Sequence, residues 1–219
     1  MRLYIITGGS QGLGKSISIL LDKEENTIVD ISRSSAEFPC DLSDIDTISL
    51  VVQKIFDTYL PNKFTNIVLI NNAGMIQPIA PVGKLSHEEI AKNLSVNLVA
   101  PIILSNEFLK GTADFSGKLK IVNISSGVSK RPKASWVAYS ASKAGLEKFS
   151  TCLASEQEGR CEVFCCDPGL IDTKMQSTIR DSSSTDFPEV DRFRTFKNDG
   201  SLVSPNDVAY KVLNEENIL

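Results

Sequence analysis

Tyr139 and Lys143 lie four residues apart in the run Trp136-Val137-Ala138-Tyr139-Ser140-Ala141-Ser142-Lys143, and Ser126 precedes the tyrosine by thirteen residues. If this run is helical, the spacing places the phenol and the ammonium on one face, near enough for one to act on the other. A free phenol with a pKa near ~10 is a poor acid or base at neutral pH. A neighbouring cation favours phenolate and brings that pKa towards the working range. The predicted chemistry is therefore proton transfer to an oxygen atom by Tyr139, tuned by Lys143. The Ser126 hydroxyl, which follows the apolar run Ile121-Val122-Asn123-Ile124, is placed to hydrogen-bond that oxygen where charge develops. Tyrosine and lysine also meet at this spacing on many amphipathic helices without any catalytic role, so the pair needs a scaffold that would use it.

The N-terminus supplies one. Leu3-Tyr4-Ile5-Ile6 reads as a strand, Thr7-Gly8-Gly9-Ser10-Gln11-Gly12-Leu13-Gly14 as a glycine turn, and Leu13, Ile17, Leu20 and Leu21 fall at helical spacing. Strand, turn and helix in this order suit a dinucleotide. Glycines let the backbone bend tightly and approach a pyrophosphate, and the helix N-terminus offers free amides and positive dipole. The spacing is Gly-x-x-x-Gly-x-Gly and not Gly-x-Gly-x-x-Gly, so a plain N-cap turn with spare glycines is the alternative.

Further apolar runs at Thr27–Ile31, Ile67–Ile70, Lys120–Ile124 and Cys161–Cys166 read as buried strands. Between them, Ile45–Tyr59, Glu88–Leu109 and Trp136–Glu156 have helical period, and Pro101 predicts a kink in the second. Alternation of this kind predicts an α/β fold, a doubly wound parallel sheet of Rossmann type with helices on both faces, and a cofactor across the carboxyl ends of the strands. The 219 residues suffice for one domain, 1–219. A long connection spans about 173–200, with Phe187, Phe193 and Phe196 spread along it and a serine-rich stretch, Asp181–Asp186, that reads as mobile. The phenylalanines suit either a lid over an apolar substrate or anchors that pin the loop to the body.

A net charge of -4 gives no footprint for nucleic acid or an anionic membrane, and a small polar or aromatic substrate fits better. No run approaches the ~18 apolar residues of a membrane helix, and Arg2-Leu3-Tyr4 enters the first strand without a leader, so a soluble cytoplasmic protein is expected. Cys40, Cys152, Cys161, Cys165 and Cys166 lack zinc-type pairing and read as reduced, mostly buried thiols, with no metal implied. His87 falls in a capping-box pattern with Ser86 and Glu89 and reads as a surface residue of a helix's first turn. Lys130-Arg131-Pro132-Lys133 reads as a solvated basic loop.

Taken together, these segments resemble the short-chain dehydrogenase/reductase family over nearly the whole chain. Thr7-Gly8-x-x-x-Gly12-x-Gly14 is similar to its cofactor turn, which implies cofactor contact for Thr7, Gly8, Gly9, Ser10, Gln11, Gly12, Leu13 and Gly14. Asn72, Ala73 and Gly74, after Asn71, resemble its central-strand motif beside the cofactor. Asp41 and Leu42 resemble its adenine contact, and Pro168, Gly169, Ile171 and Thr173 its nicotinamide-side segment. Asn97 falls where the family places a proton-relay asparagine, completing a tetrad with Ser126, Tyr139 and Lys143. The resemblance also implies that Tyr139 and Lys143 touch the nicotinamide ribose. Ile124-Ser125-Ser126 and Pro168 to Gln176 are closest in appearance to the sepiapterin reductase and benzil reductase type of carbonyl reductase. The resemblance implies a final strand and glycine-rich tail, which do not occur before Leu219; either the protein is short there or this sequence stops before the protein's end.

The resemblance implies hydride transfer from a nicotinamide cofactor to a ketone or diketone, probed most directly with aromatic or pterin-like carbonyl compounds. The alternatives are a non-catalytic NAD(P)-binding regulator and a 3-oxoacyl-acyl-carrier-protein reductase. For the cofactor, Asp30 stands where an acid grips the ribose of NAD, whereas alignment with the family puts the discriminating acidic position at Ser32 and leaves Arg33 for a 2'-phosphate. That balance favours NADP(H) over NAD(H). Self-association as a homodimer or homotetramer is implied through the helices near Glu88–Leu109 and Trp136–Glu156.

Overall fold

In the computed structural model the described residues are 1–60, 63–216 and 218. Six parallel strands form one sheet in the order β3-β2-β1-β4-β5-β6. They are β1 (Arg2–Thr7), β2 (Asn26–Ser32), β3 (Phe38–Pro39), β4 (Asn66–Asn71), β5 (Lys118–Ile124) and β6 (Cys161–Cys166). The five apolar runs read from the sequence are all strands, some longer by one or two polar residues. β3 carried no pattern because two residues paired beside Ile31 and Ser32 are too short to show one.

Alternation along each strand sends side chains to two different layers. Leu3 and Ile5 of β1, with Ile67 and Leu69 of β4, pack beneath the helices α2 (Ile45–Tyr59), α4 (Ala100–Gly111) and α5 (Val137–Glu156). Tyr4, Ile6, Val68 and Ile70 face the other way, onto α1 (Gly12–Leu21) and α8 (Pro205–Glu215). Burial on both faces is why these strands read as continuous apolar runs. The chain order reverses between β1 and β4, so the segments after these two adjacent strands diverge and leave a crevice at their carboxyl ends.

The helical stretch expected over Glu88–Leu109 comprises α3 (His87–Leu94), a π turn (Ser95–Val99) and α4. Its irregularity lies about one turn before Pro101. Proline has no N–H to give the Asn97 carbonyl, and the wider turn forms around that gap. Ser86 caps α3 by accepting from the Glu89 amide, with His87 exposed in the first turn. Cys40 and Cys161 are buried as expected, but Cys165 and Cys166 are only half-buried, because β6 pairs on one side alone among the described residues.

The connection over 173–200 contains two helices, α6 (Lys174–Arg180) and α7 (Val190–Asn198). Met175 and Ile179 of α6, with Val190 and Phe193 of α7, join Phe187, Trp136 and Tyr139 in a third apolar cluster. Trp136 is its centre, with ring centroids 5.2 Å from Phe187 and 5.3 Å from Phe193. Lys133, at the start of the loop leading into α5, pairs with Glu189 at 2.7 Å and so ties that loop to α7. Within the serine-rich stretch, Asp186 pairs with Lys84 at 3.3 Å.

Candidate active site

A cleft of about 1190 Å³ opens at the carboxyl ends of the strands. The glycine turn forms one wall. Gly8 and Gly12 hold φ of +68° and +54°, a region that disfavours residues with a Cβ. Gly14 has a different role: any side chain there would run into the Gly8 carbonyl and the Asn72 amide, so its absence lets α1 sit tightly against the turn. The Asn72 amide donates to the carbonyls of Thr7 (3.0 Å) and Gly8 (3.3 Å), and the Thr7 hydroxyl accepts from the amides of Asn72 and Ala73. Thr7, Gly9 and Gly14 thus brace the turn from beneath, while Gly8, Ser10, Gln11, Gly12 and Leu13 line the cleft itself.

The remaining cofactor candidates converge on the same space. Ser32, Arg33, Asp41 and Leu42 line one end. Asn72, Ala73, Gly74, Pro168, Gly169, Ile171 and Thr173 line the rest. Asp30 takes no part in that lining. Its carboxylate accepts from the Gly9 amide at 2.7 Å and from the Ser32 hydroxyl at 2.6 Å, so it holds the turn to β2. Arg33 is exposed. The Asp41 carboxyl is held below the usual carboxylate range, chiefly by hydrogen bonds from Ser43 and then by the charges of Lys92 and Arg33.

These features fit a nicotinamide dinucleotide. α1 begins without a side-chain cap or an acidic residue in its first turn, leaving its leading amides for an anion. The glycine turn lets backbone come close, and the Arg33 guanidinium stands exposed just past the end of β2.

Ser126, Tyr139 and Lys143 meet in this cleft. The Ser126 hydroxyl lies on the Tyr139 phenol's side of the cleft and favours its charged form. Tyr139 is buried, and its edge rests against Trp136 at 6.0 Å between centroids. Lys143 is also buried; its Nζ donates to the Ile124 carbonyl at 2.7 Å and lies 5.9 Å from the centre of the Tyr139 ring. Burial pushes Tyr139 up to about 12, against the effect of Ser126, and pushes Lys143 down to about 8. The expected lowering of the phenol by the lysine is therefore absent in the protein alone. Loss of water outweighs an ammonium whose nearest bond is to a backbone carbonyl.

Asn97 is fully buried in the π turn. Its side chain accepts from the Met75 amide (2.9 Å) and donates to the Met75 carbonyl (2.8 Å), Asn93 and Ser142. It thereby clamps the segment after β4 to α5. Gly74 fills the space between it and the lysine: a Cβ there would lie 3.2 Å from Asn97 Oδ1 and 3.8 Å from Lys143 Nζ.

Several lining residues escaped the sequence reading. Lys92 faces the cleft from α3, and Gln176 and Arg180 face it from α6. For the last two a signal existed: Met175 and Ile179 make an apolar i,i+4 pair, which would have marked Lys174–Arg180 as a short helix with Gln176 and Arg180 together on an adjacent face.

Residues 2–184 match the short chain dehydrogenase family. A benzil reductase ((S)-benzoin forming) of Bacillus subtilis (strain 168) is 39% identical over 224 residues, covering 97% of this chain and 92% of the relative. Its counterpart in Bacillus cereus is 36% identical over 232 residues, covering 98% and 93%. Among solved structures, the KRED1-Pglu enzyme superposes with a TM-score of 0.83 at 26% identity, covering 97% of this chain and 94% of its own. The chain belongs to the short-chain dehydrogenase/reductase family, and is an NAD(P)-dependent oxidoreductase of the Rossmann type. No helix among the described residues is long and apolar enough to cross a membrane.

Proposed function

We infer that the chain is an NADPH-dependent carbonyl reductase that converts a ketone or diketone of a small aromatic or pterin-like substrate to the alcohol. The observation that carries this reading is the meeting of Ser126, Tyr139 and Lys143 in a cleft walled by a dinucleotide turn, in a chain similar to two benzil reductases. When bound, the nicotinamide supplies the hydride. Ser126 holds the substrate oxygen by a hydrogen bond, and Tyr139 gives that oxygen its proton. A phenol near 12 is fully protonated at neutral pH, which suits a donor to the developing alkoxide. Lys143, with a value near 8, keeps most of its charge at neutral pH and steadies the phenolate that remains. Asn97 fixes the backbone of Met75 and the start of α5, and leads a water-borne proton path from Lys143 to solvent. NADPH consumption with benzil, other aromatic diketones and pterins tests the reading; no consumption with any of them would refute it.

Arg33 selects NADPH. Asp30 is spent on Gly9 and Ser32, so no carboxylate of β2 faces the ribose, and the exposed guanidinium is offered to a 2'-phosphate. Replacing it by alanine in R33A is expected to raise KM for NADPH by about 10- to 100-fold, as loss of a charge-assisted hydrogen bond should. KM for NADH should change little. Equal changes in the two would rule out this assignment.

The segment 173–200 closes over the substrate through α6, which lines the cleft, while Phe187 and Phe193 pin the rest of it to the body around Trp136. Limited proteolysis in this segment is expected to slow when NADPH is added, and an unchanged rate would count against closure. The protein self-associates as a dimer or tetramer through α4 and α5, on which Ile102 and Val137 remain exposed. Its unpaired cysteines suit the reducing cytoplasm.

A further inference from the structure

α6 carries two i,i+4 pairs with different surroundings. Met175 and Ile179 enter the aromatic cluster that holds Trp136 and Tyr139. Gln176 and Arg180, one position further round, line the cleft shared with Ser126 and Tyr139. Gln176 is only 7% exposed, yet its Oε1 has no hydrogen-bond partner among the described residues. Arg180 is half-buried: its Nη1 is shielded from solvent with no partner among the described residues, and its Nη2 donates to the Ser177 hydroxyl at 3.0 Å. Among the described residues no carboxylate lies within ion-pairing distance of Arg180. Buried polar atoms are normally satisfied, so a shielded amide oxygen and a shielded guanidinium nitrogen without partners stand out. Two such groups on one cleft wall point to a partner that arrives with a ligand.

Their position separates substrate from cofactor. Thr173, just before α6, faces Gly12 of the cofactor turn, where a glycine Cβ would lie 3.3 Å from its methyl. Arg180 stands at the opposite end of the helix, about 9 Å further along its axis at the usual rise per residue. Ile179, beside Arg180, is buried in the aromatic cluster around Tyr139.

We propose that Gln176 and Arg180 form a subsite for an oxygen acceptor that the substrate carries in addition to the carbonyl being reduced. The proposal rests on the carbonyl reductase reading and narrows it to substrates with a second carbonyl or a carboxylate. Arg180 donates to that acceptor, and the Gln176 amide, whose nitrogen and oxygen can exchange places, donates beside it.

Three compounds with one phenyl ring distinguish the cases: 1-phenyl-1,2-propanedione (a second carbonyl), benzoylformate (a carboxylate) and propiophenone (neither). Arg180→Met and Gln176→Leu are compared with wild type in kcat/KM for each, together with the Kd for NADPH. The expected result is a loss of about 10- to 100-fold on the dione, the keto acid or both, with propiophenone changed less than about twofold and NADPH binding intact. A loss confined to benzoylformate that Arg180→Lys largely restores identifies a carboxylate. A loss on the dione identifies a second carbonyl. Equal losses on all three compounds, or weakened NADPH binding, would overturn the subsite while leaving the reductase reading in place. Wild-type protein that consumes NADPH with none of the three, nor with benzil or a pterin, would remove both.

Discussion

Tyr139→Phe is expected to lower kcat by about 100- to 10,000-fold, the range associated with a positioned general acid. The ring keeps its contact with Trp136 and its place in the apolar cluster, so the fold and the Kd for NADPH should hardly change. Only the hydroxyl is lost, and with it the proton that the developing alkoxide needs. Because Ser126 and the phenol act on the same substrate oxygen, losing one of the two groups should also raise KM for the substrate modestly. A fall in kcat at unchanged cofactor affinity locates the defect in chemistry rather than in binding. Full activity in the variant would mean that another group protonates the substrate.

Lys143→Met should have two effects of opposite sign. Activity falls at least as far as for Tyr139→Phe, because the ammonium steadies the phenolate and the resemblance places it at the nicotinamide ribose. Stability of the cofactor-free protein should rise. Burial pulls Lys143 from 10.5 down to about 8, so the folded state resists carrying that charge by about 3 kcal/mol. Loss of the bond to the Ile124 carbonyl returns about 1 kcal/mol of that gain. The pH dependence fixes the sign. Below about 8 the lysine is charged in both folded and unfolded chains, and the burial cost is present in full. Between about 8 and 10.5 the folded protein releases the proton while the unfolded chain keeps it, so wild type gains stability as pH rises and the advantage of methionine fades. Thermal melts of both proteins at pH 7 and pH 10 test this, with a higher Tm for the variant at pH 7 and a smaller difference at pH 10. A lower Tm for the variant at pH 7 would show that the lysine contributes more to packing than burial costs it. In wild type, reduction should slow as pH rises through about 8, when the ammonium is lost.

Much of this was legible in the sequence because the informative residues lie in local patterns. Strands buried on both faces produce continuous apolar runs, and the glycines after β1 mark a turn that few other residues could make. Tyr139 and Lys143 were found by an i,i+4 spacing that one helix converts directly into proximity. Features set by long-range packing were less visible. Asp30 stood at the sequence position of a ribose ligand, yet its carboxylate turns back to Gly9 and Ser32, a contact between segments 21 residues apart. Thr7 and Gly14 belong to the cofactor turn in sequence but work from beneath it. The raised value of Tyr139 follows from burial under Trp136 and α6, which no spacing encodes. Gln176 and Arg180 lay in a segment read as a loop, because the one helical signal of that seven-residue helix, the apolar pair Met175 and Ile179, is a single spacing and was passed over.

The account depends most on Tyr139 protonating a carbonyl oxygen as hydride arrives. Its most direct test is a single turnover: protein saturated with NADPH is mixed with benzil, and loss of the reduced nicotinamide is followed for wild type and Tyr139→Phe at equal cofactor occupancy. The account predicts rapid oxidation by wild type and at least about 100-fold slower oxidation by the variant. Equal rates for the two proteins, or no oxidation by wild type with benzil or any other carbonyl compound tried, would contradict it.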